Sequence, residues 1–557
     1  MKRIDLAFLI AAAVAACGGG ATTTDATADA RAEASPDATE DANPDGVDGA
    51  EIDSDVAVVA PVQADCRPNA APFPVRPAPT DAATLPLLHV EGRDVVDEAG
   101  QPVALHGTNF GAWLMAEAWV SGIGVKSQQQ ILDEIPGKAQ ELGIGELVKQ
   151  AQNQNKLPCS FELKPAWTCV EEWRAWTAAH ATSEQAQALA AFWTWFDGEP
   201  WVFEERSQWT WLTKRFGTAK MLELRAAFLD HYVTEADVER VAALGLNLIR
   251  LPVWYQALET DQEGENGFVA DGWARLDRFV GWARKHGVYV ILDLHGAPGG
   301  QNPWWHQGLE NPGAFWTEPA CQQKAARLWQ AIATYFEGEP HVAGYDLLNE
   351  PFGAPDAAHY REAHQRMYDA IRAVDTAHIV MIEDGFLGPT KLSGPAQLGW
   401  QNAMMEFHDY PAGGSADVHV AAMEQEITSL AAIWERFDCP LFYGEFSPYG
   451  PMDFGAVDDP ADRWQVTAMD GVLSMMNRRG VHWAPWTWKF FAAPSVWGVY
   501  RPEQNPGARI DVKDASFEEI KAAFEALDSR YFVRDEAYAA VLQTNAGAAA
   551  VPLDLAP

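Results

Sequence analysis

Short apolar runs recur along the chain at 104–109, 246–252, 288–294, 343–349, 378–383, 403–408, 440–445 and 481–487. Between them lie stretches with apolar residues at helical spacing: 234–244, 273–286, 321–337, 357–373 and 418–436. Strand-length runs alternating with amphipathic helices predict an α/β fold. Eight such runs predict a closed (β/α)8 TIM barrel. A doubly wound open sheet shares the alternation, but the polar residues sit in the loops where a barrel mouth needs them. Upstream, residues 88–110 alternate around turn signals at Gly92 and Ala99-Gly100, which predicts a β-hairpin leading into the first barrel strand.

One interval breaks the rhythm. The stretch between the first and second strands runs from about 111 to 245, far longer than one crossover. Residues 124–230 are therefore read as an insertion on the mouth side, largely helical and rich in Trp, such as Trp173, Trp193 and Trp209. It either shapes a substrate cleft or packs as a helical cap.

The first 84 residues carry no such pattern. Lys2 and Arg3 precede an Ala-rich apolar stretch at 6–16, too short for a permanent membrane span. It ends in VAAC at 14–17, which resembles a bacterial lipoprotein cleavage box. Residues 1–17 are thus expected to be a lipoprotein signal peptide, with Cys17 lipidated. Gly18 stands where an inner-membrane retention signal would have Asp, so by that resemblance the anchor belongs to the outer membrane or cell surface. Residues 18–84 hold few large apolar groups, and 21–66 contain twelve Asp or Glu and one Arg. Such a segment cannot bury enough surface to offset its ordering entropy and is expected to be a disordered acidic tether. The barrel is expected at 85–545, followed by a flexible tail at 546–557.

A net charge of −38 argues against nucleic acid or anionic lipid as partners. The 24 Trp residues suit a carbohydrate site, where sugar faces stack on indoles, although most are expected in the core. Of six Cys, Cys159 and Cys169 are close in sequence and are the pair favoured for a disulfide. Cys66, Cys321 and Cys439 are expected to be free or buried. No Cys/His cluster has metal-ligand spacing, so neither metal nor cofactor is expected, and a monomer is the simplest assembly.

Two apolar runs end in a carboxylate: LLNEP at 347–351 with Glu350, and FYGEF at 442–446 with Glu445. Glycosidic hydrolysis uses two carboxyl groups, and a barrel delivers them from the C-terminal ends of different strands. Glu350 is read as the acid/base, its pKa raised by Glu445, and Glu445 as the nucleophile. Other strand ends supply Arg250 to orient a carboxylate, His295, Asn349 for a sugar hydroxyl, His408, Tyr410 for Glu445, and Trp486 as a sugar floor. Trp304, Trp305 and Trp316 are further aromatic platforms to test.

Taken in order, these motifs resemble glycoside hydrolase family 5 over about 85–540, the insertion excepted. The resemblance implies a (β/α)8 barrel acting with retention, with Glu350 and Glu445 as its catalytic pair. It also implies substrate contacts from Arg250, His295, Asn349, His408, Tyr410 and Trp486. Within the family the chain resembles the exo-β-1,3-glucanases. HGTNFGAWLMAEAW at 106–119 is similar to their first-strand region and adds Asn109 and Glu117 as substrate-binding candidates. VWYQAL at 253–258, GEF at 444–446 and the loop NPWWHQG at 302–308 depart from that pattern. The expected activity is exo hydrolysis of β-1,3-linked glucose in an oligo- or polysaccharide. The alternatives are an endo-β-1,4-glucanase, a mannanase, or an inactive carbohydrate-binding surface lipoprotein.

Overall fold

The computed structural model describes residues 66–556, apart from 125–127, 154–165, 198–204, 261–266, 303–304, 310–312, 386–391, 412–414, 449–462, 492–496 and 503–509. A hairpin of β1 (Leu88–Glu91) and β2 (Asp94–Asp97) comes first. Eight parallel strands follow in consecutive order: β3 (Gly107–Asn109), β4 (Leu248–Trp254), β5 (Tyr289–Gly296), β6 (Val342–Asp346), β7 (Ile379–Glu383), β8 (Ala403–Asp409), β9 (Leu441–Phe446) and β10 (His482–Trp483). A parallel bridge from His106 to Trp483 closes the ring. The protein is a (β/α)8 barrel, as the pattern predicts.

Side chains alternate along each strand, and the barrel uses that alternation to stack an apolar floor under a polar mouth. Leu248, Ile291, Ile379, Met381, Met404, Phe442 and Ala484 form one buried cluster with Leu88 and Val95 of the hairpin. The hairpin therefore plugs the bottom of the barrel. Two residues farther along the same strands come Arg250, Asp293, Glu383 and Glu406, all buried. The outer layer includes Ala270–His286, Pro319–Phe336, Ala357–Arg372 and Trp464–Arg478.

The predicted helix over 418–436 is two helices, Ala416–Ser429 and Ala431–Phe437. The Thr428 and Ser429 hydroxyls donate back to the carbonyls of Gln425 and Glu426, which competes with continued helix.

The insertion is helical and divides in two. Gln128–Glu141, Gly145–Asn153, Ala166–His180 and Ala186–Asp197 bury Ile135, Leu147, Trp173, Phe192 and Trp193 in a core of their own. Glu205–Phe216 and Thr218–His231 instead place Trp209, Leu212, Leu224 and Phe228 in the main barrel core. Those Trp residues are core, not cleft.

Three expectations change at the edges. Cys66 and Cys321 form a disulfide, so neither is free. Their separation of 255 residues leaves no local signal of the pairing. The favoured pair lies outside the described residues: Cys159 is in 154–165, and the Cys169 side chain is not described. Cys439 is free and buried. Residues 66–84 have no helix or strand, yet they are not loose. Besides the disulfide, Arg76 meets Asp277 at 2.6 Å and Glu339 at 2.8 Å, and Arg327 covers the Phe73 ring. The tail is held as well: the Asp554 amide donates to the Arg479 carbonyl at 2.8 Å, and Leu555 is buried. The expected signal peptide with Cys17, and residues 18–65 of the expected tether, lie outside the described residues. Among the described residues no helix is long and apolar enough to cross a membrane.

Candidate active site

Arg250 is the hub of the barrel mouth. Its buried guanidinium lies 2.8 Å from Glu445, 2.7 Å from Asp346, 3.0 Å from Glu406 and 3.2 Å from Asp293. It also donates to the side-chain oxygens of Asn109 at 3.2 Å and Asn349 at 2.9 Å. Burial disfavours its charge, but the surrounding carboxylates outweigh that and hold its pKa well above the usual value. One cation cannot balance that many acids in a buried place. Burial and mutual repulsion push Asp293 up, push Asp346 up to about 7, and push Glu383 well above the carboxylate range.

Glu445 ends β9 and is clamped from two sides. Arg250 Nη1 donates to its Oε1 at 2.8 Å, and the Tyr410 hydroxyl donates to its Oε2 at 2.9 Å. The register between β8 and β9 shifts at Tyr443 and Glu445, which brings Gly444 against Glu406. A side chain at Gly444 would collide with that carboxyl, so the glycine of FYGEF is what lets Glu406 reach Arg250.

Glu350 follows β6 with a positive φ of 41°. Its backbone amide donates to Glu383 at 2.6 Å. One carboxyl oxygen lies 3.2 Å from His408 Nδ1 and the other 3.0 Å from His306 Nε2. Burial alone would raise this pKa; the two imidazoles outweigh it and pull the carboxyl well below its usual range. The expected upward shift from Glu445 is therefore overturned, because His306 and His408 stand closer and carry the opposite charge. One atom each of Glu350, His408 and Glu445 lie within 4.8 Å of one another. That is close enough to hold an ion, but Arg250, Tyr410 and His306 already occupy the carboxylate oxygens.

His295 Nδ1 is 2.7 Å from Asp293, which turns Nε2 toward Glu117 at 3.9 Å. Its ring stacks on Trp486 at 5.7 Å between centroids. The Trp486 indole N–H is buried without a partner among the described residues, and Gly111 leaves the space the ring fills. Asn349 gives its oxygen to Arg250, so its NH2 is the end left to donate.

The structure brings all ten predicted side chains to one mouth, with a correction at Asn109. Its NH2 donates to the carbonyls of Gly444 at 2.7 Å and Ala484 at 2.8 Å, and its oxygen accepts from Arg250. It staples β3 to β9 and β10 and keeps no amide hydrogen for a substrate. Trp316 is also not a platform: it is buried and donates to the Gln301 carbonyl at 2.7 Å. Trp304 and the Trp305 side chain lie outside the described residues.

Sequence reasoning missed Asp346, Glu383, Glu406 and His306. The three acids had a signal: Asp346 and Glu383 end strands that are otherwise apolar, and Glu406 follows the apolar start of β8. His306 sits in a short 3-10 turn, Trp305–Gln307, with no periodicity to mark it. Glu205 was missed too. It accepts hydrogen bonds from the Ala116 amide and, at 2.6 Å, from Trp209, while Gln208 donates to the Ala116 carbonyl at 2.8 Å. The insertion thereby grips the backbone one residue before Glu117.

The model of the Cellulase family, glycosyl hydrolase family 5, matches residues 208–492. A β-xylosidase of Phanerodontia chrysosporium is 30% identical over 275 residues, 47% of this chain and 57% of that protein. A glucan 1,3-beta-glucosidase of Blumeria graminis is 28% identical over 253 residues, 43% of this chain and 58% of that one. The chain thus spans just over half the length of these curated relatives. Among solved structures, a beta-glucanase from Saccharophagus degradans aligns at 15% identity over 82% of this chain and 99% of that one, with a TM-score of 0.43.

Proposed function

The chain belongs to glycosyl hydrolase family 5, and on that premise we propose that it is a retaining β-glycosidase with Glu350 as acid/base and Glu445 as nucleophile. The observation that carries this reading is the approach of the two carboxyl groups within 4.8 Å, across one barrel mouth. Retention needs roughly 5–5.5 Å between such groups, whereas inversion needs roughly 6.5–9.5 Å to seat a water.

Each neighbour has a job in that chemistry. Arg250 and Tyr410 each hold one oxygen of Glu445 and so aim it at the anomeric carbon. Glu350 protonates the departing oxygen as the Glu445–sugar bond forms, and then takes a proton from the water that breaks it. Asn349 donates to the sugar 2-hydroxyl. Trp486 forms the floor of the reacting subsite. His295 and Glu117 bind the sugar that enters first.

The favoured substrate is β-1,3-linked glucose attacked from the chain end. The name of the Blumeria graminis relative supports β-1,3-glucose. The name of the Phanerodontia chrysosporium relative makes β-xylosides the competing substrate. Assays on laminarin, cellulose, mannan, aryl β-glucosides and aryl β-xylosides decide among these, and proton NMR of the first-formed anomer tests retention. An inverted product would end the nucleophile role of Glu445. Wild-type turnover by Glu350→Ala or Glu445→Ala would end the pair. Lipidation of Cys17 and attachment to the cell envelope complete the reading; a Cys17→Ser protein that still partitions into detergent would refute the anchor.

A further inference from the structure

The loop after β5 does more than border the mouth. Gln301 donates to the carbonyls of His295 at 2.7 Å and Asn349 at 2.9 Å. Asn302 donates to the Glu350 carbonyl at 3.1 Å. The same loop then returns His306 Nε2 to 3.0 Å from Glu350 Oε2. An imidazole nitrogen and a carboxylate oxygen that close both have lone pairs, and they hold together only with a proton between them. Asn302 Nδ2 also lies 3.0 Å from that nitrogen. Its N–H can donate to the ring when the proton sits on Glu350. Both positions of the proton thus have a partner in place.

We propose that His306 is the proton store of Glu350: the Nε2–Oε2 contact holds the proton that Glu350 delivers to the leaving oxygen and later recovers from water. The inference rests on Glu350 being the acid/base. The steps balance without another reactant. As the C1–O bond breaks and the Glu445–C1 bond forms, the proton passes from Nε2 through Glu350 to the leaving oxygen, and His306 is left neutral. When water attacks C1 and the Glu445–C1 bond breaks, the water's proton returns through Glu350 to Nε2.

The surroundings agree. His306 faces Glu350 after β6, Glu117 after β3, Glu445 on β9 and the His295 ring on β5 at 6.1 Å. Burial would lower the imidazole pKa; Glu350 first, then Glu117 and Glu445, outweigh it and raise it. Glu350 itself faces His306, His408 on β8, Glu445 on β9 and Glu383 on β7. With His306 and His408 at its two oxygens, Glu350 is held ionised, and the proton it delivers rests on a neighbouring imidazole until it is needed.

The test is kcat/KM against pH for wild type and His306→Gln, on phenyl β-glucoside and on 2,4-dinitrophenyl β-glucoside, whose leaving group needs no acid. On the phenyl substrate the alkaline limb should move at least about one pH unit toward acid, with a loss of about 10-fold or more at neutral pH. On the dinitrophenyl substrate kcat/KM should stay within about 2-fold. An unmoved limb, or equal losses on both substrates, would mean that His306 only braces the loop. Should His306→Gln fail to fold, nitrogen NMR of the wild-type imidazole serves instead. Its titration should fall by about one pH unit or more in Glu350→Gln, and an unchanged midpoint overturns the store. A wild type inactive on both glucosides, or Glu350→Ala matching wild type on the phenyl one, would instead sink the acid/base assignment itself.

Discussion

Gly444→Ala tests whether the carboxylates around Arg250 form one mechanical unit. A Cβ built at residue 444 would lie 2.7 Å from Glu406 Cδ and 3.1 Å from its Cγ, and nearer still to Oε1. Ordinary carbon contacts begin near 3.5 Å, so the carboxyl must withdraw by more than about 1 Å. Glu406 now lies 3.0 Å from Arg250 Nε and 3.3 Å from His408 Nε2. After that withdrawal neither contact survives at hydrogen-bond length. Breaking a buried ion pair costs about 3–5 kcal/mol, a large share of the roughly 5–15 kcal/mol that holds a protein folded. Arg250 also carries Glu445, and a 1 Å error at a catalytic group costs about 10²-fold in rate. Denaturant unfolding and kcat/KM should therefore fall together. Glu406→Asp, which shortens the side chain by one methylene, should recover part of the loss when combined with Gly444→Ala. A Gly444→Ala protein with native stability and native kcat/KM would refute the claim that Glu406, Arg250 and Glu445 move as one.

Other outcomes follow from single contacts. His364 is fully buried, with its pKa pushed down to about 4, mainly by burial. Below about pH 6.5 the unfolded chain takes up a proton that the folded one refuses, so this group removes stability as pH falls. His364→Phe should gain on wild type by about 1.4 kcal/mol per pH unit between roughly pH 6.5 and 4; a constant difference in pH-dependent unfolding would refute this. Reduction of Cys66–Cys321, or Cys66→Ser, should lower the unfolding free energy by up to about 5 kcal/mol and expose residues 66–84 to protease. Identical melting and digestion would sink that reading. Glu205→Ala and Gln208→Ala should each release the Ala116 backbone and so misplace Glu117, lowering kcat/KM about 10-fold, mainly through KM. A change in melting temperature with KM intact would confine the insertion to stability.

What the sequence made legible is set by how each feature is encoded. Strands alternate and helices repeat locally, so the eight runs and their order could be read directly, and a residue just past such a run reaches the mouth by construction. That is why Arg250, Asn349, Glu350, His408 and Glu445 could be named without coordinates. Asp346, Glu383 and Glu406 were within the same reach: a carboxylate two residues beyond buried Met381 or Met404 has to enter the polar layer. The disulfide was not legible, since Cys66 and Cys321 meet only after helix Pro319–Phe336 has docked and the N-terminal segment has crossed it. Asn109 shows a subtler limit. Its place at the mouth follows from the strand, but what its amide bonds depends on how closely β9 and β10 close against β3. The proton on Glu350 shows the same limit in electrostatic form. The sequence expectation weighs only Glu445, which would raise the acid's pKa. Two imidazoles, one on a strand and one in a loop of irregular backbone, reverse the sign. A pKa is set by burial, charges and hydrogen bonds together, and when the deciding charge arrives on a loop its distance is a tertiary quantity that no periodicity encodes.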